Sequence, residues 1–95
     1  MKYFGRRIRE LRESQGLLLR QVAAAIEIDT ALISKIERGE RNASKLQVEK
    51  IANYLNADRE ELISLWLADK IESTIVEEPA AAYHAINIVK KNLEK

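Results

Sequence analysis

Residues 17–44, LLLRQVAAAIEIDTALISKIERGERNAS, constrain this chain more than any other stretch. Two short apolar-faced segments sit either side of a polar break. The spacing predicts one helix over about 20–26, rich in VAAAI, and a second over 30–38 whose buried face carries Ile33 and Ile36. Only Glu27, Ile28 and Asp29 separate them. Asp29 is placed to cap the second helix, with its carboxylate accepting from free backbone N–H groups at the positive dipole end. Gly39 closes that helix, at a position where a left-handed backbone is wanted and glycine adopts it cheaply. The alanines at 23, 24 and 25 let another backbone come close.

Two short helices about a three-residue turn form a helix-turn-helix unit, whose second helix can enter a DNA major groove. The run Ile33-Ser34-Lys35-Ile36-Glu37-Arg38-Gly39, with VAAAI upstream, resembles the phage-repressor type of that motif, the family of lambda repressor and Cro (XRE type). The resemblance extends over residues 4–66. It implies an all-α fold, a five-helix lambda-repressor-like DNA-binding domain, here with an extra C-terminal helix. Two departures stand out. Leu19 occupies the place where the family usually carries a phosphate-gripping Gln, a contact that neighbouring Arg20 can replace. Glu27 stands in the turn where Gly is usual, which predicts a turn held at some local strain.

Length and composition fit this expectation. Ninety-five residues make one domain with an appendage, and a core small enough that pairing with a copy is expected to add stability. With no cysteine, disulfides and thiolate metal sites are excluded. The start, MKYFGRRIRE, lacks a signal-peptide core, and no apolar run reaches the ~20 residues of a membrane span, so a soluble cytoplasmic protein with no membrane partner is expected. Net charge is only +1, yet residues 1–45 hold ten Lys/Arg against six Asp/Glu, and residues 46–95 six against nine. A basic front and an acidic back suit a protein that meets a polyanion on one side.

A first helix over 3–14 follows from Phe4, Ile8 and Leu11 at i, i+4 and i+7, with arginines on its other faces and Gly16 as its stop. Ser44 and Gln47 form a capping box that opens a helix to about residue 55, with Leu46, Ile51 and Leu55 facing the core and Val48 and Tyr54 at its edges. Asp58 with Glu61 repeats the box and starts a helix ending near residue 71. Its apolar residues Leu62, Ile63, Leu65, Trp66 and Leu67 exceed one buried stripe. That surplus marks a contact with another chain, so Leu62, Leu65 and Trp66 are the expected dimer surface. Residues 1–71 then form the DNA-binding domain. Residues 72–95 form a linker and a helix from Pro79 to Leu93, with Ala82, Ile86, Val89 and Leu93 along one stripe. This appendage serves dimerisation or a partner protein.

In the motif, the residues expected to reach bases are Thr30, Ala31, Ser34, Lys35 and Arg38. The family's base-reading positions fall on Thr30, Ala31 and Lys35. Thr and Ala can touch a thymine methyl, and Lys can donate to guanine N7 and O6. Expected phosphate contacts are Arg20, Gln21, Arg41, Asn42 and Lys45, joined by one or more of Arg6, Arg7 and Arg9. The resemblance further implies a structural ion pair between Arg12 and Glu37, tying the first helix to the recognition helix. His84 lacks a second ligand at i+4, so no metal site is read, and no cofactor is implied. No nucleophile elbow, phosphate-binding glycine loop or carboxylate dyad appears, so no enzyme or catalytic residue is read.

The function implied is that of a sequence-specific double-stranded DNA-binding regulator, a homodimeric repressor on a palindromic operator. LLLRQVAAAIEID…SKIERGER is also similar to small regulators found beside bacterial restriction-modification genes. Two other classes fit the same residues: an antitoxin whose acidic C-terminal region binds a toxin, and an interaction module that no longer reads DNA.

Overall fold

The computed structural model describes residues 2–95, and over these the chain forms six helices. They are α1 (Tyr3–Ser14), α2 (Leu19–Ala25), α3 (Thr30–Arg38), α4 (Lys45–Tyr54), α5 (Arg59–Ile75) and α6 (Pro79–Leu93). The fold is all-α: five helices of repressor type, followed by an additional C-terminal helix. Each of the first five gives a stripe to one core. Phe4 and Ile8 come from α1, Val22 and Ala23 from α2, Ile33 and Ile36 from α3, Val48, Ile51 and Ala52 from α4, and Leu62 from α5. Ile26 and Leu55, at the ends of α2 and α4, close it.

The helix boundaries have local causes. Ser44 and Gln47 form the expected reciprocal box, with the Gln47 N–H donating to Ser44 Oγ at 3.2 Å and the Ser44 N–H to Gln47 Oε1 at 2.9 Å. Gly39 ends α3 at φ 76°, where its N–H donates to the Ile36 carbonyl. Asp29 stands at the N-cap of α3, but the expected carboxylate bond is not made. Its backbone carbonyl instead accepts from Leu32 and Ile33, while the side chain stays in solvent. Asp58 caps α5 by accepting from the Glu60 N–H at 3.1 Å. The expected return bond from Glu61 is absent, because Glu61 reaches across to Arg7 Nε at 3.3 Å.

Three further expectations are corrected. Leu46 is 61% exposed, because the buried stripe of α4 is Val48, Ile51, Ala52 and Leu55, and a residue two positions before Val48 lies on the opposite side. The helix end expected near residue 71 comes too early, since α5 runs on to Ile75. Asp69 accepts from the Tyr3 and Phe4 N–H groups at 2.8 and 3.2 Å, and Glu72 from the Tyr3 hydroxyl at 2.5 Å. The last turns of α5 thus cap α1 from outside, which extends α5 through its β-branched residues. Third, Leu62 is fully buried inside the subunit and cannot form a dimer surface.

Gly5 fixes how closely α1 crosses α3. A Cβ there would stand 2.4 Å from the Ile36 carbonyl oxygen and 2.6 Å from that of Glu37, both rigid helical backbone. Gly5→Ala is therefore expected to destabilise the fold by about 2–3 kcal/mol in chemical denaturation, through forced separation of the two helices. Glu27 lies at φ 61°, the left-handed conformation that a non-glycine residue adopts at a cost. Glu27→Gly is expected to raise stability by roughly 0.5–1 kcal/mol, a small gain because glycine also loses more chain entropy on folding. A lower denaturation midpoint for that variant would show the turn to be unstrained.

Candidate nucleic-acid interface

The outward side of α3 is built by its inward one. Ile33 and Ile36 are buried, which turns positions 30, 31, 34, 35 and 38 toward solvent. Thr30, Ala31 and Lys35 are exposed, and Ser34 is half-buried. Arg38 lies one turn beyond Ser34, and its Nη1 donates to Ser34 Oγ at 2.7 Å while its Nε donates to the Glu40 carboxylate. Glu40 is held below the usual carboxylate range, chiefly by the Arg38 hydrogen bond, with Lys35 adding a weaker attraction. Ser34 and Arg38 thus enter the surface as a linked pair, with a carboxylate beside them.

The residues expected to meet phosphate, three cations and one amide, lie on the elements that flank α3 in the chain. Arg20 is on α2, Arg41 and Asn42 are in the α3–α4 loop, and Lys45 is the first residue of α4; all four are exposed. Among the described residues no ion pair engages Lys35, Arg20, Arg41 or Lys45. Gln21 has a prior engagement: its Oε1 accepts from the Leu18 N–H at 2.7 Å, closing the first turn of α2 and leaving only its amide N–H groups for another partner. The arginines of α1 behave differently. Arg7 meets Glu10 and Glu61, and Arg9 meets Glu13, so carboxylates already offset these two cations.

Two contacts fix the frame behind this surface. Arg12 and Glu37 meet in a bidentate pair, Nε to Oε2 at 2.7 Å and Nη2 to Oε1 at 3.0 Å, with their side chains 12% and 6% exposed. Arg12 Nη1 also donates to the Leu17 carbonyl at 2.8 Å, so one guanidinium joins α1, the segment leading into α2, and α3. The second contact is that of Trp66. Its indole N–H donates to the Ala43 carbonyl at 2.7 Å, holding the loop that carries Arg41 and Asn42 against α5. Lys70 Nζ lies 4.0 Å from the Trp66 ring centroid. Trp66 is half-buried, with its indole N–H engaged inside the subunit. Leu65 is half-buried against the core.

Neither the Trp66–Ala43 bond nor the Ser34–Arg38–Glu40 chain was legible in the sequence. Both link a side chain to a loop or helix end whose position only the fold decides.

Residues 3–65 match the helix-turn-helix domain family. The chain belongs to that family. It is of the XRE-like, phage-repressor type that the ISKIERG run resembles. The uncharacterized HTH-type transcriptional regulator RghRB of Bacillus subtilis is 38% identical over 65 residues, which cover 67% of this chain and 47% of RghRB. The present chain thus spans about half the length of that relative. Control protein C.MunI of a Mycoplasma species is 39% identical over 62 residues, covering 64% of this chain and 84% of C.MunI. The crystal structure of the restriction-modification controller protein C.AhdI from Aeromonas hydrophila superposes with a TM-score of 0.61 at 36% identity, over 64% of this chain and 92% of that one. All three matches leave about a third of this helix-turn-helix chain unmatched.

Glu37 and Glu40 offer a direct contrast on neighbouring carboxylates. Glu37→Gln leaves the mostly buried Arg12 without its counter-charge and is expected to cost ~3–5 kcal/mol. Glu40→Gln disturbs only an exposed pair and is expected to leave the melting temperature nearly unchanged. Equal melting temperatures for the two variants would remove Arg12–Glu37 from its structural role.

Proposed function

We propose that this chain is a sequence-specific double-stranded DNA-binding regulator of transcription, of the restriction-modification controller kind. The observation that carries this reading is the exposed side of α3, held from behind by Arg12–Glu37, together with exposed Arg20, Lys35, Arg41 and Lys45, which make no ion pair among the described residues. In this reading α3 lies in the major groove. Thr30 and Ala31 meet thymine methyl groups, Lys35 donates to guanine, and Ser34 and Arg38 act as a linked pair at the far end. Arg20, Arg41, Asn42 and Lys45, with the amide of Gln21, meet the phosphates on either side and supply the salt-sensitive affinity.

One such domain touches few base pairs, so the protein acts as a homodimer on a palindromic operator with half-site centres ~34 Å apart. Bound near a promoter, it represses by occlusion. Its work is done by binding, without catalysis and without a cofactor. Among the described residues no helix is long and apolar enough to cross a membrane, which supports a cytoplasmic place of action.

Selection of bound sequences from a random duplex pool tests this reading, and a twofold-symmetric consensus is the expected outcome. On that consensus, Lys35→Ala is expected to cost ~1–3 kcal/mol and relax preference at a single position. Arg41→Ala is expected instead to weaken all sequences alike and to reduce the salt slope by about one. Recovery of no enriched sequence, with binding flat across salt, would overturn the assignment.

A further inference from the structure

The family match ends at residue 65, and the most apolar exposed surface lies beyond it. Ala82 is the only buried residue of α6. Tyr83, Ile88 and Leu93 are each at least 70% exposed, and Ile86 and Val89 about half so. The distal half of α5 adds Leu67, Ile71 and, at its end, Val76. Between the two helices opens a groove of about 460 Å³, walled by Ile71, Thr74 and Ile75 on one side and by Ala85, Ile86 and Val89 on the other. Exposed Ile71, Ile86 and Val89 share this groove, and an apolar groove of this kind marks a contact surface.

Charge selects the occupant. Glu77 and Glu78 stand immediately before α6, while Lys90 and Lys91 lie in its last turn and Glu94 and Lys95 follow, a net excess of positive charge. The helix is thus acidic at its start and basic at its end, about 22 Å apart along 15 residues. Laid beside a parallel copy, it would set like charges against like. Beside an antiparallel copy, each acidic end meets a basic end, and the two helix dipoles oppose favourably. A twofold axis perpendicular to the two helices produces that antiparallel arrangement.

We propose that the α5–α6 groove receives α6 of a second copy, antiparallel to the resident α6, so that two α5–α6 hairpins interlock as a four-helix bundle. Ile86 and Val89 of each copy would fill the other's groove, with helices crossing at the ~20° usual for such bundles. The interface lies in the last third of the chain, outside the region shared with the relatives. It deepens the dimer of the proposed regulator and rests on that reading for its twofold symmetry on DNA.

The test uses the full chain without DNA, in sedimentation equilibrium from 1 to about 200 µM, with circular dichroism to confirm folding. The wild type is expected to be dimeric. Ile86→Glu with Val89→Glu is expected to raise the dissociation constant at least ~100-fold while helicity is kept, because two charges would be buried unpaired. Two charge variants probe the orientation. Glu77→Lys with Glu78→Lys gives an α6 basic at both ends, and Lys90→Glu with Lys91→Glu one acidic at both ends. Each alone is expected to self-associate more weakly than wild type, and their equimolar mixture to form a heterodimer.

A wild type that stays monomeric, leaving the groove to a different protein, would overturn the proposal. So would a dimer that survives Ile86→Glu with Val89→Glu, or charge variants that fail to pair with each other. If the chain dimerises in this way but enriches no DNA sequence, the regulator reading fails and the interface stands.

Discussion

The Arg12 guanidinium is the junction on which the remaining geometry depends. Three of its five N–H donors are used, two on Glu37 of α3 and one on the Leu17 carbonyl, so α1, the segment leading into α2, and α3 share one planar group. In the mostly desolvated space between α1 and α3 this arrangement leaves little freedom of rotation. It also explains why Gly5 sits where it does. The pair ties Arg12, near the end of α1, to Glu37, and earlier in α1 only a residue without a side chain fits beneath the Ile36 and Glu37 carbonyls. The ion pair and the missing Cβ act as one device: the first supplies direction, the second permits close approach. A lysine in place of Arg12 would keep the charge and lose the fork, and with it the fixed angle of α3.

Charge on the surface is sorted by the same architecture. The arginines of α1 read in sequence as a basic helix, but Glu10, Glu13 and Glu61 stand against Arg7 and Arg9. Such exposed pairs contribute little to stability. Their effect is on the field, since they remove two positive charges from one side of the molecule. Among the described residues Arg20, Lys35, Arg41 and Lys45 make no ion pair, although Glu40 lies near Lys35 and Glu49 near Lys45, so these cations stay less neutralised than Arg7 and Arg9. The Arg38–Glu40 pair sits at the edge of that field. It would tune how Arg38 is offered to a polyanion, because a phosphate approaching Arg38 must either displace Glu40 or use the guanidinium edge that Glu40 leaves open.

How much could be read beforehand follows the range of the forces involved. Helix starts and stops written in adjacent residues were legible: the Ser44–Gln47 box, Gly39 after α3, and Pro79 opening α6. The turn at Glu27 was legible as strained because it lacks the glycine that a left-handed residue prefers. Long-range partners were not. Nothing in the local sequence marks Asp69 as the cap of α1, 66 residues away, or Trp66 as the clamp on Ala43. The end of α5 was placed too early for the same reason, since its last turns are held by contacts to Tyr3 that no window of neighbouring residues contains. Counting apolar residues on α5 pointed to a surface, but periodicity alone could not tell that Leu62 belongs inward while Leu67 and Ile71 remain outside.

Helix α5 joins what would otherwise be two separate parts. Through Asp69 it caps α1, through Trp66 it holds the loop before α4, and its far end walls the groove against α6. A 17-residue helix without a break behaves as a stiff rod at this scale. Any partner seated in the groove therefore acts on the same element that positions the frame of α3, with no flexible linker between. Were residues 72–78 the loose connection that the sequence suggests, a paired appendage would raise only the local concentration of two domains and leave their separation variable. With the helix continuous to Ile75, pairing at the groove would also fix the direction in which each α3 points. Twofold contact would then become a defined spacing of half-sites, and substitutions in the last third of the chain would alter operator spacing as well as affinity.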